Sequence, residues 1–242
     1  MGATYLRSEV LRSFRNRRFL ILSLAFPVVL YLTITGPNRH HSFDGVAFAL
    51  YFMMGMAALG TMSSVISSGA VIAADRSGGW TRQTRITPLT TRSYFGAKVV
   101  CGYLRALLTI ALLCLAGTAF GVRLSAVEWL TVLGLLLVGL VPFAVLGIVL
   151  GHVLSADSFA AAMGGIVTLF SLLGGVYAFQ LATSGPLFQI MRALPSYWLV
   201  QAGKAAVGGG GWPAEGWIVI AAWTVVLTPL AVLVYRRDTN RV

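Results

Sequence analysis

The sequence predicts an all-α integral membrane protein: six transmembrane helices, an N-terminal interfacial amphipathic helix, and short broken re-entrant helices between spans five and six. Three observations predict it. Hydrophobic residues make up 57% of the 242 positions and charged residues only 10%, whereas a soluble domain carries about a quarter charged residues. Mean hydropathy is +0.83, and the apolar residues fall in runs of the roughly 20 that a bilayer-crossing helix needs. With both termini on the same side, 14 of the 18 Lys and Arg residues lie on that side, which makes it the cytoplasmic one by the positive-inside rule. The net charge of +11 therefore points to anionic lipid headgroups and not to nucleic acid. Residues 1–242 read as one transmembrane domain.

Residues 1–18 form the interfacial helix. Leu6, Val10 and Phe14 recur every four residues along one face, with Arg12 and Arg15 on the other side, a pattern suited to the membrane surface. A cleaved signal peptide is the alternative. The long basic region and the lack of a small-x-small site after the apolar run argue against it. Span one covers 19–36 and contains Pro27, which a membrane helix tolerates. The outer loop at 37–45 holds Arg39, His40, His41 and Asp44. Adjacent histidines cannot share a helix face, so this reads as an exposed polar loop and not a metal site.

Span two covers 46–74, longer than a bilayer requires. Tyr51, Phe52, Met53, Met54, Met56 and Met62 cluster in it, followed by Ser63, Ser64, Ser67 and Ser68. Flexible, polarizable methionines suit surfaces that accept varied apolar ligands; ordinary helix packing is the competing reading. Residues 75–93 form a basic, turn-rich cytoplasmic loop. Arg76, Arg82, Arg85 and Arg92 face a single acid, Asp75, while Gly78, Gly79 and Pro88 break the chain. A loop that only reverses direction needs neither Trp80 nor spaced arginines, so we read it as a docking surface for a soluble partner.

Span three covers 94–122. Lys98 and Arg105 share a face near its start, about 10 Å apart along the axis. The run at 106–122 nearly spans alone, so both side chains are expected to snorkel to the interface instead of forming an intramembrane charge relay. Cys101 and Cys114 sit in the same run about 20 Å apart, beyond disulfide reach, and read as packing residues. Span four, 129–154, contains Pro142 and the Gly147-x-x-x-Gly151 pair, which permits close helix approach. His152 and Asp157 frame a short cytoplasmic turn. Span five, 158–181, carries Gly164-Gly165 and Gly174-Gly175. The outer re-entrant segment, 182–212, is broken by Gly185-Pro186, Pro195 and the glycines at 208–211; Tyr197 and Trp198 are expected at a headgroup boundary. Span six covers 217–235, and Arg236, Arg237 and Arg241 follow it.

No Gly-x-x-x-x-Gly-Lys-Ser/Thr phosphate loop occurs, and no soluble stretch is long enough for an ATPase. The three histidines lie at 40, 41 and 152, none deep in a span, which disfavours an intramembrane hydrolase.

Residues 75–89 resemble the cytoplasmic loop of ABC-2 type transporter permeases. The likeness is carried by Asp75-Arg76, Gly79-Trp80, Arg82-Gln83, Arg85 and Thr87-Pro88-Leu89, running on to Gly96 and Lys98. The interfacial helix, the six spans and the broken outer helices resemble the family too. The chain departs from it at Ser77, where a second acid is common, and after the fifth-span Gly174-Gly175 and aromatics, where the family often has a proline and here Phe179 leads to Gln180. The resemblance implies the permease subunit of an ABC exporter for a hydrophobic or amphipathic compound (a drug, antibiotic or lipid). It implies two copies of a partner ATPase that bind ATP and Mg, no cofactor and no enzymatic site in this chain, a second permease subunit that is identical or homologous, and contact with membrane lipid. It assigns ATPase docking to Asp75, Arg76, Gly79, Trp80, Arg82, Arg85 and Pro88. Met54, Met56, Phe170 and Tyr177 are candidates for the substrate pathway. The expected location is the bacterial plasma membrane, multi-pass, with both termini cytoplasmic. A membrane sensor or immunity protein that binds a toxin or antibiotic without transporting it is the alternative; an intramembrane enzyme dependent on His152 is a second.

Overall fold

The computed structural model describes residues 2–15, 17–38, 40–43, 45–78, 90–177 and 184–240. The chain runs through α1 (Gly2–Arg15), α2 (Arg17–Asn38) and a ribbon of β1 (Ser42–Phe43) paired antiparallel with β2 (Val46–Ala47). It continues through α3 (Phe48–Ile66), α4 (Ser68–Ser77), α5 (Thr91–Ala119), α6 (Ala126–Gly139), α7 (Val141–Val153) and α8 (Ala156–Leu173). The last helices are α9 (Gly185–Arg192), α10 (Pro195–Val207) and α11 (Ala214–Asn240).

Among the described residues, five helical stretches are long and apolar enough to cross a membrane: Phe48–Ser77, Ser93–Ala119, Ala126–Val153, Ala156–Leu173 and Ala214–Arg237. The first expected span falls within α2, whose apolar stretch Leu24–Asn38 is shorter. The small ribbon straddles the expected boundary at 45, with β1 in the outer loop and β2 in the first residues expected of span two; Gly45 lies between the strands at φ +80°, a backbone region glycine enters without steric cost.

The α3–α4 rod is the core of the bundle. Nearly every residue from Ala49 to Ile66 is buried, because α2, α5, α7, α8 and α10 surround it. Small residues set the close contacts. A side chain at Gly69 would overlap the Gly147 carbonyl, and a Cβ at Gly151 would sit 2.6 Å from the Gly69 oxygen. The Gly147-x-x-x-Gly151 pair is thus the seam between α7 and α4, as small-residue packing in membranes allows. Gly60 lies against Pro27 and Thr109. By contrast, Gly164 and Gly165 of α8 have no neighbour among the described residues within 4 Å of an added Cβ.

The rod breaks at Ser67, and hydroxyls satisfy themselves along it. Ser63 donates to the Leu59 carbonyl at 2.8 Å, Ser67 to Ser64 at 2.9 Å and Ser68 to Val65 at 2.5 Å. Such back-bonding removes the need for outside partners and bends a helix. A second break, at Leu140, precedes Pro142 in the first turn of α7, where the missing proline N–H leaves no intrahelical bond unmade.

At the end opposite α1, α9 and α10 are tied down by tryptophans. Trp198 Nε1 donates to the Arg192 carbonyl and Trp223 Nε1 to the Ala193 carbonyl, both at 2.8 Å. Arg192 pairs with Glu215 of α11. Trp198 is 4% exposed, packed among the helices of this end. Its N–H is satisfied inside the protein, so nothing draws the ring to water.

Candidate functional site

The site lies where α1, the end of α4 and the start of α5 meet. Asp75, the first residue of the loop expected to dock a partner, is in the last turn of α4, which runs on to Ser77. It is 6% exposed. A carboxylate so buried must be compensated, and α5 does so twice. Lys98 Nζ is 2.8 Å from Asp75 Oδ2, and the Tyr94 hydroxyl donates to the same oxygen at 2.9 Å. From α1, Arg12 approaches the other oxygen at 3.6 Å. Lys98 also donates to Glu9 Oε1 of α1 at 2.6 Å. One ammonium therefore bridges two carboxylates on two different helices, with the face of Tyr94 5.1 Å away.

This arrangement corrects the snorkelling expected for Lys98 and Arg105. Lys98 is 1% exposed and Arg105 is 6% exposed. Lys98 stays inside because Glu9 and Asp75 meet it there. Arg105 stays inside with its Nε donating to the Cys101 carbonyl at 3.3 Å. Breaking a buried pair by removing one partner costs about 3–5 kcal/mol, because the other charge is left uncompensated.

The cluster extends sideways through rings. Tyr5 of α1 stacks on Tyr94 at 6.3 Å. Burial, and next the Glu9 and Asp75 carboxylates, push the Tyr5 phenol above its usual range, so it stays protonated. Beside Tyr94, Phe95 contacts His152 of α7 at 5.5 Å and Tyr235 of α11 at 5.2 Å, and those two rings lie 5.8 Å apart.

Arg76, the next residue after Asp75, turns the other way. Its Nη1 donates to the Gly151 carbonyl at 3.1 Å and the Leu154 carbonyl at 3.4 Å. Those carbonyls end α7, where helix C-termini favour a cation. The acidic-basic pair therefore fastens the stem of the loop in two directions. Asp75 holds it to α1 and α5, and Arg76 holds it to α7.

A model of the ABC-2 type transporter family matches residues 3–206, from α1 to the last turn of α10. The chain belongs to that family. It is a multi-pass membrane subunit of an ABC transporter, a class whose transport subunits work with an ABC ATPase. A relative in Bacillus subtilis (strain 168), described as "Putative transport permease YvfS", is 25% identical over 233 residues, covering 96% of this chain and 95% of that protein.

Within this ABC-2 subunit the residues expected to dock an ATPase divide. Asp75 and Arg76 are in the ionic cluster and its α7 counterpart. Gly79, Trp80, Arg82, Arg85 and Pro88 lie outside the described residues. The four pathway candidates are dispersed. Met54 and Met56 are buried in α3, with Met54 against Gly203 of α10. Phe170 lies edge-on to Phe143 and Trp223 at 5.3 and 5.8 Å. Tyr177 follows the turn at Gly175 and Val176 that rests on Gly55 of α3.

Sequence reasoning missed Glu9 and Tyr94. Glu9 carried a signal: it is the one acid in α1, three residues from Leu6 on the helix's apolar side. An acid there requires a buried cation, and Lys98 is that cation.

Proposed function

We propose that this chain is the permease subunit of an ABC exporter that moves a hydrophobic or amphipathic compound (a drug, antibiotic or lipid) out of a bacterial cell. Two ATPase subunits bind ATP and Mg and power it, and a second permease subunit, identical or homologous, completes the membrane portion. Six spans cross the plasma membrane, with α2 supplying the first and both termini cytoplasmic. The short links between spans and the scarcity of polar side chains within them support an amphipathic cargo over a small ion.

The observation that carries the reading is the fastening of the 75–93 stem to three other helices through buried ionic and hydrogen-bonded contacts. A loop that only connects two spans gains nothing from an anchored stem. A loop that receives force from a soluble motor does. In this mechanism the ATPases close on ATP and displace residues 79–89, with Trp80 as the apolar contact and Arg82 and Arg85 as charged ones. Asp75 passes the displacement to α5 and α1, and Arg76 passes it to α7. Tilting of α3 and α8 then opens a path outward past α9 and α10.

The test is to purify the tagged full chain from its own cells and assay the eluate for ATPase activity. We expect an ATPase to co-purify in two-to-two stoichiometry and its rate to respond to amphipathic compounds. Trp80→Ala should lose efflux with the permease still folded. Retention of both ATPase assembly and efflux by Trp80→Ala sinks the docking role. A chain that purifies alone even after crosslinking at position 80 favours a sensor or immunity protein.

A further inference from the structure

Ser171 Oγ, in the last turn of α8, and Ser196 Oγ, in the first turn of α10, are fully buried and have no hydrogen-bond partner among the described residues. Elsewhere in the bundle such hydroxyls close on their own helix. Thr61, Ser63, Thr109 and Thr224 each donate to the carbonyl four residues back. Ser171 makes no such bond to Val167. For Ser196 the carbonyl four residues back belongs to Arg192, which already accepts from Trp198 Nε1 at 2.8 Å. The two hydroxyls share one seam. Ser171 and Gly174 are three residues apart along α8, a spacing that puts Cβ positions about 5–6 Å apart on one face. Ser196 Oγ is 2.8 Å from the point a Cβ of Gly174 would occupy. A buried hydroxyl left without a bond is costly, and one on each side of a seam calls for a group that satisfies both. Aromatic side chains border the seam: Phe170, next to Ser171, lies edge-on to Phe143 and Trp223. Leu169 and Leu172, on either side of Phe170 and Ser171, are 56% and 41% exposed, so the seam lies one residue from the outer surface of α8. The turn at its end, Gly174-Gly175 with Gly175 at φ +74°, has no side chain to displace when the seam parts.

We propose that the α8–α10 seam binds the carbonyl oxygen of an otherwise apolar, ring-bearing compound, with Ser171 and Ser196 as its two donors and Phe170 against its rings. A carbonyl oxygen accepts two hydrogen bonds, and neither hydroxyl gives up a partner to make one. The same compound without its carbonyl leaves both hydroxyls unpaired, which is how a hydrogen-bonding site rejects an analogue. As a contact for cargo the seam rests on the exporter reading. As a binding site it does not, and binding is what its test measures.

The experiment irradiates the full chain in lipid nanodiscs with benzophenone, a diaryl ketone that labels what it touches, and maps the adducts by peptide mass spectrometry. We expect labelling at the end of α8 and the start of α10. The concentration for half-labelling there should rise about three- to tenfold in Ser171→Ala and in Ser196→Ala, the loss of one hydrogen bond. Each change removes an unpaired buried hydroxyl, so neither threatens the fold; if one variant still fails to fold, the other decides. Thr228→Ala, whose hydroxyl donates to the Thr224 carbonyl of its own helix, should label like the wild type. Diphenylmethane, the same rings without the carbonyl, should compete about tenfold less well than unlabelled ketone. The proposal is overturned if both serine variants label like the wild type, if Thr228→Ala loses as much as they do, if diphenylmethane competes equally, or if the seam is not labelled. The predicted pattern in a chain that recruits no ATPase keeps the site and removes the exporter reading. ATP-driven efflux with no labelling at the seam removes the site and keeps that reading.

Discussion

Replacing Lys98 with methionine keeps most of its length and removes its charge. Glu9 and Asp75 are then left buried with Arg12 at 3.6 Å from Asp75 as their remaining described cation. We expect Lys98→Met to destabilise the subunit by about 3–5 kcal/mol, read as a lower unfolding midpoint in detergent. The triple change Glu9→Gln, Asp75→Asn, Lys98→Met should recover part of that loss, because it removes the stranded charges together; residues in one network are not additive. A triple variant no more stable than Lys98→Met would show that the cost is packing and not charge. Arg76→Met removes the two donations to the carbonyls that end α7 and should cost about 1–3 kcal/mol. At this scale the sequence was a partial guide. The basic character of Lys98 and Arg105 was plain, but one of the two carboxylates that Lys98 meets, Glu9, lies 89 positions away, and no local pattern carries such a pairing. Asp75 and Arg76 stood out as a pair, yet their opposed directions follow from where α5 and α7 happen to pack.

Between helices, the decisive contacts are made by absent side chains. Gly151→Ala places a Cβ 2.6 Å from the Gly69 carbonyl oxygen, a backbone atom that cannot move aside. We expect a loss of about 1–3 kcal/mol from the overpacked α4–α7 seam. Gly164→Ala on α8 meets nothing among the described residues and should change the stability of the single subunit by less than about 0.5 kcal/mol; both are checked by thermal unfolding. Much of this scale was legible. Hydropathy runs gave the five long apolar helical stretches, the four-residue spacing of Leu6, Val10 and Phe14 gave α1, and the glycine pair of α7 announced a close contact. The breaks at Ser67 and Leu140 were not legible, because both lie inside continuous apolar runs where hydropathy has no punctuation. Composition also does not show that the Trp198 N–H is satisfied within the protein, by the Arg192 carbonyl.

For the whole molecule, the count of spans and the route of force remain the testable features. In a background lacking Cys101 and Cys114, His41→Cys should react with a membrane-impermeant maleimide on intact cells, and Arg237→Cys only after permeabilisation. Equal reactivity of both without permeabilisation would rule out six spans with cytoplasmic termini. The fold class was readable because a bilayer imposes one rule on every span. The ionic cluster was not, because it depends on how α1, α4 and α5 converge in space. That convergence is the centre of the account: Asp75 joins the loop stem to the spans. The most direct measurement compares compound transported per ATP hydrolysed, for the complete transporter in proteoliposomes, between the wild type and Asp75→Asn. The account predicts that Asp75→Asn assembles with its ATPase and hydrolyses ATP but moves far less compound per ATP. An unchanged ratio in an assembled Asp75→Asn complex would contradict it.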